Sequence, residues 1–314
     1  MPSCPRSILF AVIGALLMAP CAGCGGTKKK GKKGGLTVAQ QLEKAEKEST
    51  PDRQAAAYLK VARRQLASGD KNGAKDSAKK ALDKVSGEGD ASQFGPRLVE
   101  VAGFLAEAGE KKPARDALKK AADLAGTIDD PVRRARVFAE AGGVFGDKAK
   151  GLGDAKAAKD ALAEATKAAE SVEERFRAEA LAAVALGYTR SGLADAASAM
   201  VGKLEEAAKT LEEPRAKAEA LAAAANVKAQ TGRKDEATAL LDEAAKAAKG
   251  VERAESRAYA LLAVATALDA NGATKEAIAI LKEADKAANK VSEPDAMKTV
   301  VDKVRSLALT LEKK

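Results

Sequence analysis

Three glycines, Gly192, Gly232 and Gly272, stand 40 residues apart, and the segments around them line up. They read "RAEALAAVALGYTRSGLADAASAMVGKLEEA" from Arg177, "KAEALAAAANVKAQTGRKDEATALLDEAAKA" from Lys217 and "RAYALLAVATALDANGATKEAIAILKEADKA" from Arg257. Toward the N-terminus the series continues through Gly153, Gly109 and Gly69, at intervals of 39, 44 and 40 residues. An alanine follows five residues after each glycine: Ala74, Ala114, Ala158, Ala197, Ala237 and Ala277. A period of this size marks supersecondary units that stack on their own copies to bury a shared core. Six copies occupy residues 51–293.

Within a copy the apolar spacing is helical. In the fifth, Ala218, Leu221, Ala222 and Ala225 form one stripe at i, i+3, i+4 and i+7, and Ala237, Leu240, Leu241 and Ala244 form a second. Gly232 falls between them, where a chain leaving a helix commonly adopts the left-handed conformation that glycine tolerates. Each copy therefore predicts a helix, a tight turn and a second helix. Pro51, Pro131, Pro214 and Pro294 fall at joints between copies, and proline suits the first turn of a new helix. Residues 37–50 predict a short leading helix, with Thr37 and Gln40 in capping-box spacing. Residues 294–314 predict a final helix with Met297, Val300, Val301, Val304, Ala308 and Leu311 on one side, covering the last copy as a solenoid cap. The expected fold class is all-α, an α-solenoid of about six helix-turn-helix repeats, without β-structure.

The stretch "GRKDEATALLDEAAKAA" resembles the turn and second helix of a tetratricopeptide repeat, with Gly232, Ala237 and Leu241 at matching places. The resemblance extends over six copies, residues 51–293, and implies a helical-hairpin array. The departures are a period of 40 in place of 34, an empty Trp position and intermittent prolines; the length also suits a HEAT-like array. Alanine dominates the stripes and aromatics are 3% of the chain. Small side chains bring helix axes toward the short end of the 8–10 Å range, and so predict little room for an apolar cavity in the core. No single hairpin is expected to be stable alone; neighbour interfaces supply the stability.

The N-terminus carries a different message. Arg6 precedes the apolar run "ILFAVIGALLM", Ile8 to Met18, which is too short for a membrane span and suits the core of a secretory signal peptide. The "CAGC" that follows resembles a bacterial lipobox, with Ala22 and Gly23 before Cys24, although Cys21 stands where leucine is usual. That resemblance implies a signal peptide over 1–23, lipidation of Cys24 and a lipid anchor, with Gly25 in place of the aspartate that retains some lipoproteins at the inner membrane. The expected location is the bacterial cell envelope, on the outer membrane facing the periplasm. Residues 24–36 read as a Gly/Lys-rich linker, a solvated spacer or an attraction to anionic headgroups. All three cysteines lie in this leader. A redox or zinc reading of Cys21 and Cys24 lacks its partners, as the chain has no histidine.

The chain carries 54 Lys+Arg against 45 Asp+Glu, or +9. Residues 1–37 hold six of the cations and none of the acids, so the remainder is nearly balanced at 48 against 45. A balanced body offers no basic footprint for nucleic acid. Without histidine or a free mature thiol, the usual general bases and nucleophile–base pairs are missing; no catalytic, cofactor or metal residues are expected, and the chain reads as a non-enzyme.

Two features invite a partner. One is a column fifteen residues before the turn glycine, Arg177, Lys217 and Arg257, with Arg134 matching in the third copy. Asp130, Glu173 and Glu213 precede three of these by four residues. The column reads either as capping at the joint between copies or as a basic ladder along a groove that clamps an acidic peptide. The other feature is "GGVFGDKAKGLGD", Gly142 to Asp154, which lengthens the third turn and carries Phe145; insertions in repeat proteins often lie on the binding face. Phe145 folding back onto a neighbouring helix is the alternative. These signals predict a lipid-anchored scaffold that binds protein or peptide partners along a helical groove, with a self-associating envelope spacer as the second reading and an enzyme using Lys and Glu for acid/base work as a remote third. In layout the chain is similar to tetratricopeptide lipoproteins that assist envelope assembly.

Overall fold

The computed structural model describes residues 36–312, and every described element is an α-helix. The signal peptide, Cys24 and the lysine-rich linker through residue 35 lie outside the described residues. The chain divides into two compact units between Gly87 and Glu88. The first contains α1 (Val38–Glu46) and one hairpin, α2 (Pro51–Ala67) with α3 (Lys71–Val85). The second contains five hairpins and a final helix. Its hairpins are α4 (Ala91–Glu107) with α5 (Lys111–Gly126), α6 (Pro131–Gly146) with α7 (Ala155–Glu170), and α8 (Glu174–Arg190) with α9 (Ala194–Thr210). They continue with α10 (Pro214–Gln230) and α11 (Lys234–Lys249), then α12 (Ala254–Ala270) and α13 (Thr274–Ala288), and end in α14 (Pro294–Leu311).

The six turn glycines all have positive φ, from +67° at Gly153 to +86° at Gly69 and Gly109. At five of the turns one bond recurs, from the amide after the glycine to a carbonyl five residues earlier. Arg233 N–H donates to Lys228 O at 2.8 Å, and Asp70, Glu110, Leu193 and Ala273 repeat it at 2.8–3.0 Å. This is the six-to-one bond of a Schellman ending, which satisfies a helix-terminal carbonyl and requires the left-handed residue before it. The four joint prolines each open a helix, after Thr50, Asp130, Glu213 and Glu293, whose side chains accept from first-turn amides.

In the second unit the first helices α4, α6, α8, α10, α12 and α14 touch in succession, and each second helix packs on its own partner and on the next first helix. First helices are thus enclosed on several sides, second helices on one. In α10 the expected stripe of Ala218, Leu221, Ala222 and Ala225 is buried, and so are Ala220, Ala224 and Val227 on other faces. The second helices bury one stripe, and the six alanines that follow the turn glycines are all 0% exposed. α14 buries Val300, Val301, Val304 and Leu311 against α12 and α13.

The third hairpin departs from the expected loop. Gly142 to Gly146 belong to α6, and the added residues form the turn from Asp147 to Asp154. The glycines are there for contact: a Cβ on Gly142 would meet Leu162 Cγ at 2.6 Å, and one on Gly146 would meet Ser191 Cβ at 2.3 Å. On the facing helix a Cβ at Gly187 would lie 2.6 Å from the Ala139 carbonyl oxygen. Glycine lets α6 and α8 approach until backbone meets backbone.

In the first unit α1 is tied to the hairpin through Glu46. The Tyr58 hydroxyl donates to Glu46, and Lys84 Nζ lies 2.7 Å from the same carboxylate. Burial and the bond to Glu46 push the Tyr58 phenol up to about 12, while Lys84 and Tyr58 hold Glu46 below the ordinary carboxylate value.

Candidate functional site

The sequence column resolves into bonds at the joints. Arg177 Nε and Nη2 donate to the Val172 carbonyl at 3.2 and 3.1 Å, and Arg257 donates to the Val251 and Glu252 carbonyls at 2.5 and 3.0 Å. These carbonyls lie just beyond the ends of α7 and α11. Lys217 Nζ stands 3.6 Å from Glu243 on α11, and Arg134 Nε is buried without a hydrogen-bond partner among the described residues. All three preceding acids, Asp130, Glu173 and Glu213, are N-caps, of α6, α8 and α10, and the side chains of Asp130 and Glu213 accept from first-turn amides. Of the two readings of Phe145, the binding residue on an inserted loop is corrected in favour of the side chain folded onto its neighbours: Phe145 closes α6 and is 4% exposed, because the glycines around it let α6 sink among the adjacent helices.

None of these five residues lines the larger cavity of the second unit. That cavity is a groove of about 740 Å³ formed by α6, α8 and α10. From α6 it takes Arg136, Ala139, Glu140 and Gly143, a stripe at i, i+3, i+4 and i+7. α8 supplies Phe176, Glu179, Ala183, Leu186 and Arg190 on one face, and the start of α10 adds Glu213, Ala216, Glu219 and Ala220. Alanines from all three helices make a low floor. Phe176 and Leu186 stand above it, 47% and 37% exposed, the largest apolar side chains that α8 leaves open to solvent. The expectation of little cavity space is corrected: α6 and α8 touch through their glycines, yet on the side they share with α10 the same small residues leave a trough.

Most charges in the groove are already engaged. Arg136 Nη2 lies 2.5 Å from Glu179, and Arg190 Nε lies 3.3 Å from Asp147 in the third turn. Glu219 accepts from Arg215 Nε at 2.8 Å, and Glu213 accepts from the Arg215 and Ala216 amides at 3.1 and 2.6 Å. Glu140 has no ion pair or hydrogen bond among the described residues. It is open to solvent by its own surface, yet the surrounding protein thins its water, and this desolvation raises its pKa above the ordinary value against the pull of Arg136 and Arg190.

A second cavity of about 350 Å³ lies at the joint of α7, α8 and α9. Its walls are mostly charged, and Lys203 Nζ bonds Glu170 at 2.6 Å beside it. Its smaller volume and mostly charged walls, Arg177 among them, make it the weaker candidate. Among the described residues no cluster of His, Cys, Asp and Glu is arranged to hold a metal ion, and no helix is long and apolar enough to cross a membrane.

Sequence reasoning passed over the groove. Its trace was the pair Phe176 and Leu186, bulky residues off the buried stripe of an alanine-rich helix.

No protein-family model matches this chain, and no curated protein does. Solved structures match. The chain is similar to Ton1535 from Thermococcus onnurineus NA1, at 17% identity over 85% of this chain and 83% of that one, with a TM-score of 0.33. It is similar to a Rap protein complexed with competence and sporulation factor, at 15% identity over 87% and 80%, TM-score 0.38. It is similar also to the TPR-like repeats of a Podosopora anserina putative kinesin light chain, at 18% identity over 77% and 98%, TM-score 0.33. The assignment to TPR-like helical hairpins rests on this chain's own features: paired helices, a glycine turn of one geometry and a buried alanine five residues after it.

Proposed function

We propose that the protein is a non-enzymatic scaffold that binds a protein or peptide partner in the groove of α6, α8 and α10. The observation that carries this reading is the exposed pair Phe176 and Leu186 above an alanine floor in a 740 Å³ groove. A trough of this size with apolar walls and a few charges has the character of a recognition site, and aromatic side chains in such places carry much of a partner's binding energy. Lipidation of Cys24 would hold the array at the cell envelope, on the outer membrane facing the periplasm, with the Gly/Lys-rich linker giving it reach.

In-cell crosslinking from a photoreactive residue at Ala182 tests the scaffold. Reproducible crosslinks to one or a few envelope proteins, lost on Phe176→Ser, are expected; an unchanged crosslink pattern in that variant would refute the groove. Concentration-dependent mass of the full chain, abolished by the same variant, would replace it with the self-associating spacer. For the anchor, Cys24→Ser is expected to move the protein to the soluble fraction, and continued membrane retention would refute lipidation there.

A further inference from the structure

Within the groove the charges are unequal. Four carboxylates, Glu140, Glu179, Glu213 and Glu219, face two guanidinium groups, Arg136 and Arg190. Both arginines are held by acids, and three of the four carboxylates are held by arginine or backbone amides. Glu140 is left over. Its place follows from its neighbours on α6: Arg136 pairs with Glu179, and a Cβ on Gly143 would touch Arg190 Cδ at 3.0 Å. Glu140 lies between them, so it faces the turn of α8 that carries Ala183 and Leu186. Phe176 and Leu186 are ten residues apart on one helix, about 15 Å at 1.5 Å per residue. An extended chain covers that span in four to five residues.

We propose that the groove takes a short basic–apolar segment of a partner protein, with a lysine or arginine bonded to Glu140 and apolar side chains covering Leu186 and Phe176. This rests on the scaffold reading above and adds the chemistry of the partner. The reason is complementarity. A groove carboxylate without a partner gains from a charge-assisted bond, which is about twice as strong as a neutral one. An acidic segment would have to displace Glu179 or Asp147 from its arginine and would still face Glu140. A wholly apolar segment would bury that carboxylate unpaired. The expected pattern is a basic residue beside one apolar residue, with a second apolar residue about four positions away.

The test is selection of a random dodecapeptide library on the full chain, followed by synthesis of an enriched peptide and of its basic→Gln analogue. Affinities are read by fluorescence anisotropy on the wild type, Glu140→Gln, Phe176→Ser and Ala183→Trp, with helicity checked by circular dichroism. Enriched peptides are expected to share the basic–apolar pattern. On the wild type the Gln analogue is expected to bind at least tenfold more weakly than the parent peptide; on Glu140→Gln the parent loses that advantage and the two peptides bind within about twofold of each other, as a charged hydrogen bond implies. Peptides without a basic residue, or affinity unchanged by Glu140→Gln, overturn this inference; the scaffold reading survives if Phe176→Ser or Ala183→Trp abolishes their binding. Peptides indifferent to both groove variants, or no enrichment over an unrelated helical protein, overturn the inference and the scaffold reading together.

Discussion

Gly187 offers a sharp measure of how closely the first helices meet. Replacing glycine by alanine inside a helix normally stabilises by roughly 0.5–1 kcal/mol, because the unfolded chain loses freedom. At Gly187 the new Cβ would stand 2.6 Å from the Ala139 carbonyl oxygen and 2.7 Å from Leu162 Cδ2. The leucine methyl is the end of a flexible side chain, but the carbonyl belongs to the backbone of α6 and yields only if the helices part by several tenths of an ångström. Overpacking of this kind costs about 1–3 kcal/mol, and a backbone obstacle places it in the upper half. Net destabilisation is then about 1–2 kcal/mol, or a melting temperature lower by about 2–8 °C for a unit of this size. Gly202 is the control: it is exposed within α9, and a Cβ there meets nothing within 4 Å. Gly202→Ala is expected to raise stability by about 0.5–1 kcal/mol. Urea and thermal unfolding of the two variants, followed by helical ellipticity, give opposite signs if α6 and α8 touch through their backbones. If Gly187→Ala proves as stabilising as Gly202→Ala, the close approach of α6 and α8 is wrong.

Gly232→Ala places a side chain at φ +85° in open space, so only backbone strain acts; it is expected to cost about 1–2 kcal/mol by urea unfolding, and Gly232→Asn less. Tyr58 is expected to ionise near pH 12 in an absorbance titration at 295 nm, a transition lost in Tyr58→Phe. Its folded value lies above the ordinary 10, so its contribution is intact below pH 10 and fades between 10 and 12. Glu46 has the opposite sign: its folded value is depressed, so its contribution is present above about 4.5 and lost in more acidic solution, and hydrogen exchange of α1 should quicken at both extremes. Lys228 is 5% exposed, its stem packed in α10 and its ammonium bonded to Glu205 at 2.6 Å and Glu236 at 2.8 Å near the surface. Lys228→Ala is expected to destabilise by about 1–3 kcal/mol, below the cost of a fully buried pair because Glu236 remains half exposed. Arg233 and Lys228 hold Glu236 down to about 2, so this support is present above about 4.5 and fades toward pH 2; a urea midpoint that stays flat over that range would refute the network.

The repeat was legible because each of its signals is local. A residue that must adopt positive φ is glycine in most sequences, and the spacing of Gly69, Gly109, Gly153, Gly192, Gly232 and Gly272 named every such turn. Pro51, Pro131, Pro214 and Pro294 marked helix starts for a reason equally local, a missing amide that the first turn does not need. The groove was not legible in this way. Ala183, Ala216 and Ala220 read like any other alanine of the core stripes, and Glu140 like any other surface acid. The third turn was misread for a related cause: glycines suggested a loop, while in α6 they serve close contact with α7 and α8.

What the sequence determined by itself was the element list, the hairpin pairing and the alanine columns, since these depend on neighbours within one 40-residue unit. Tertiary structure decided which side of each first helix stays open, because a helix enclosed on several sides shows no single apolar stripe to betray its free face. It also decided that Arg136 pairs with Glu179 and Arg190 with Asp147, leaving Glu140 alone. Both pairs join two successive copies, and no spacing within a single copy contains them.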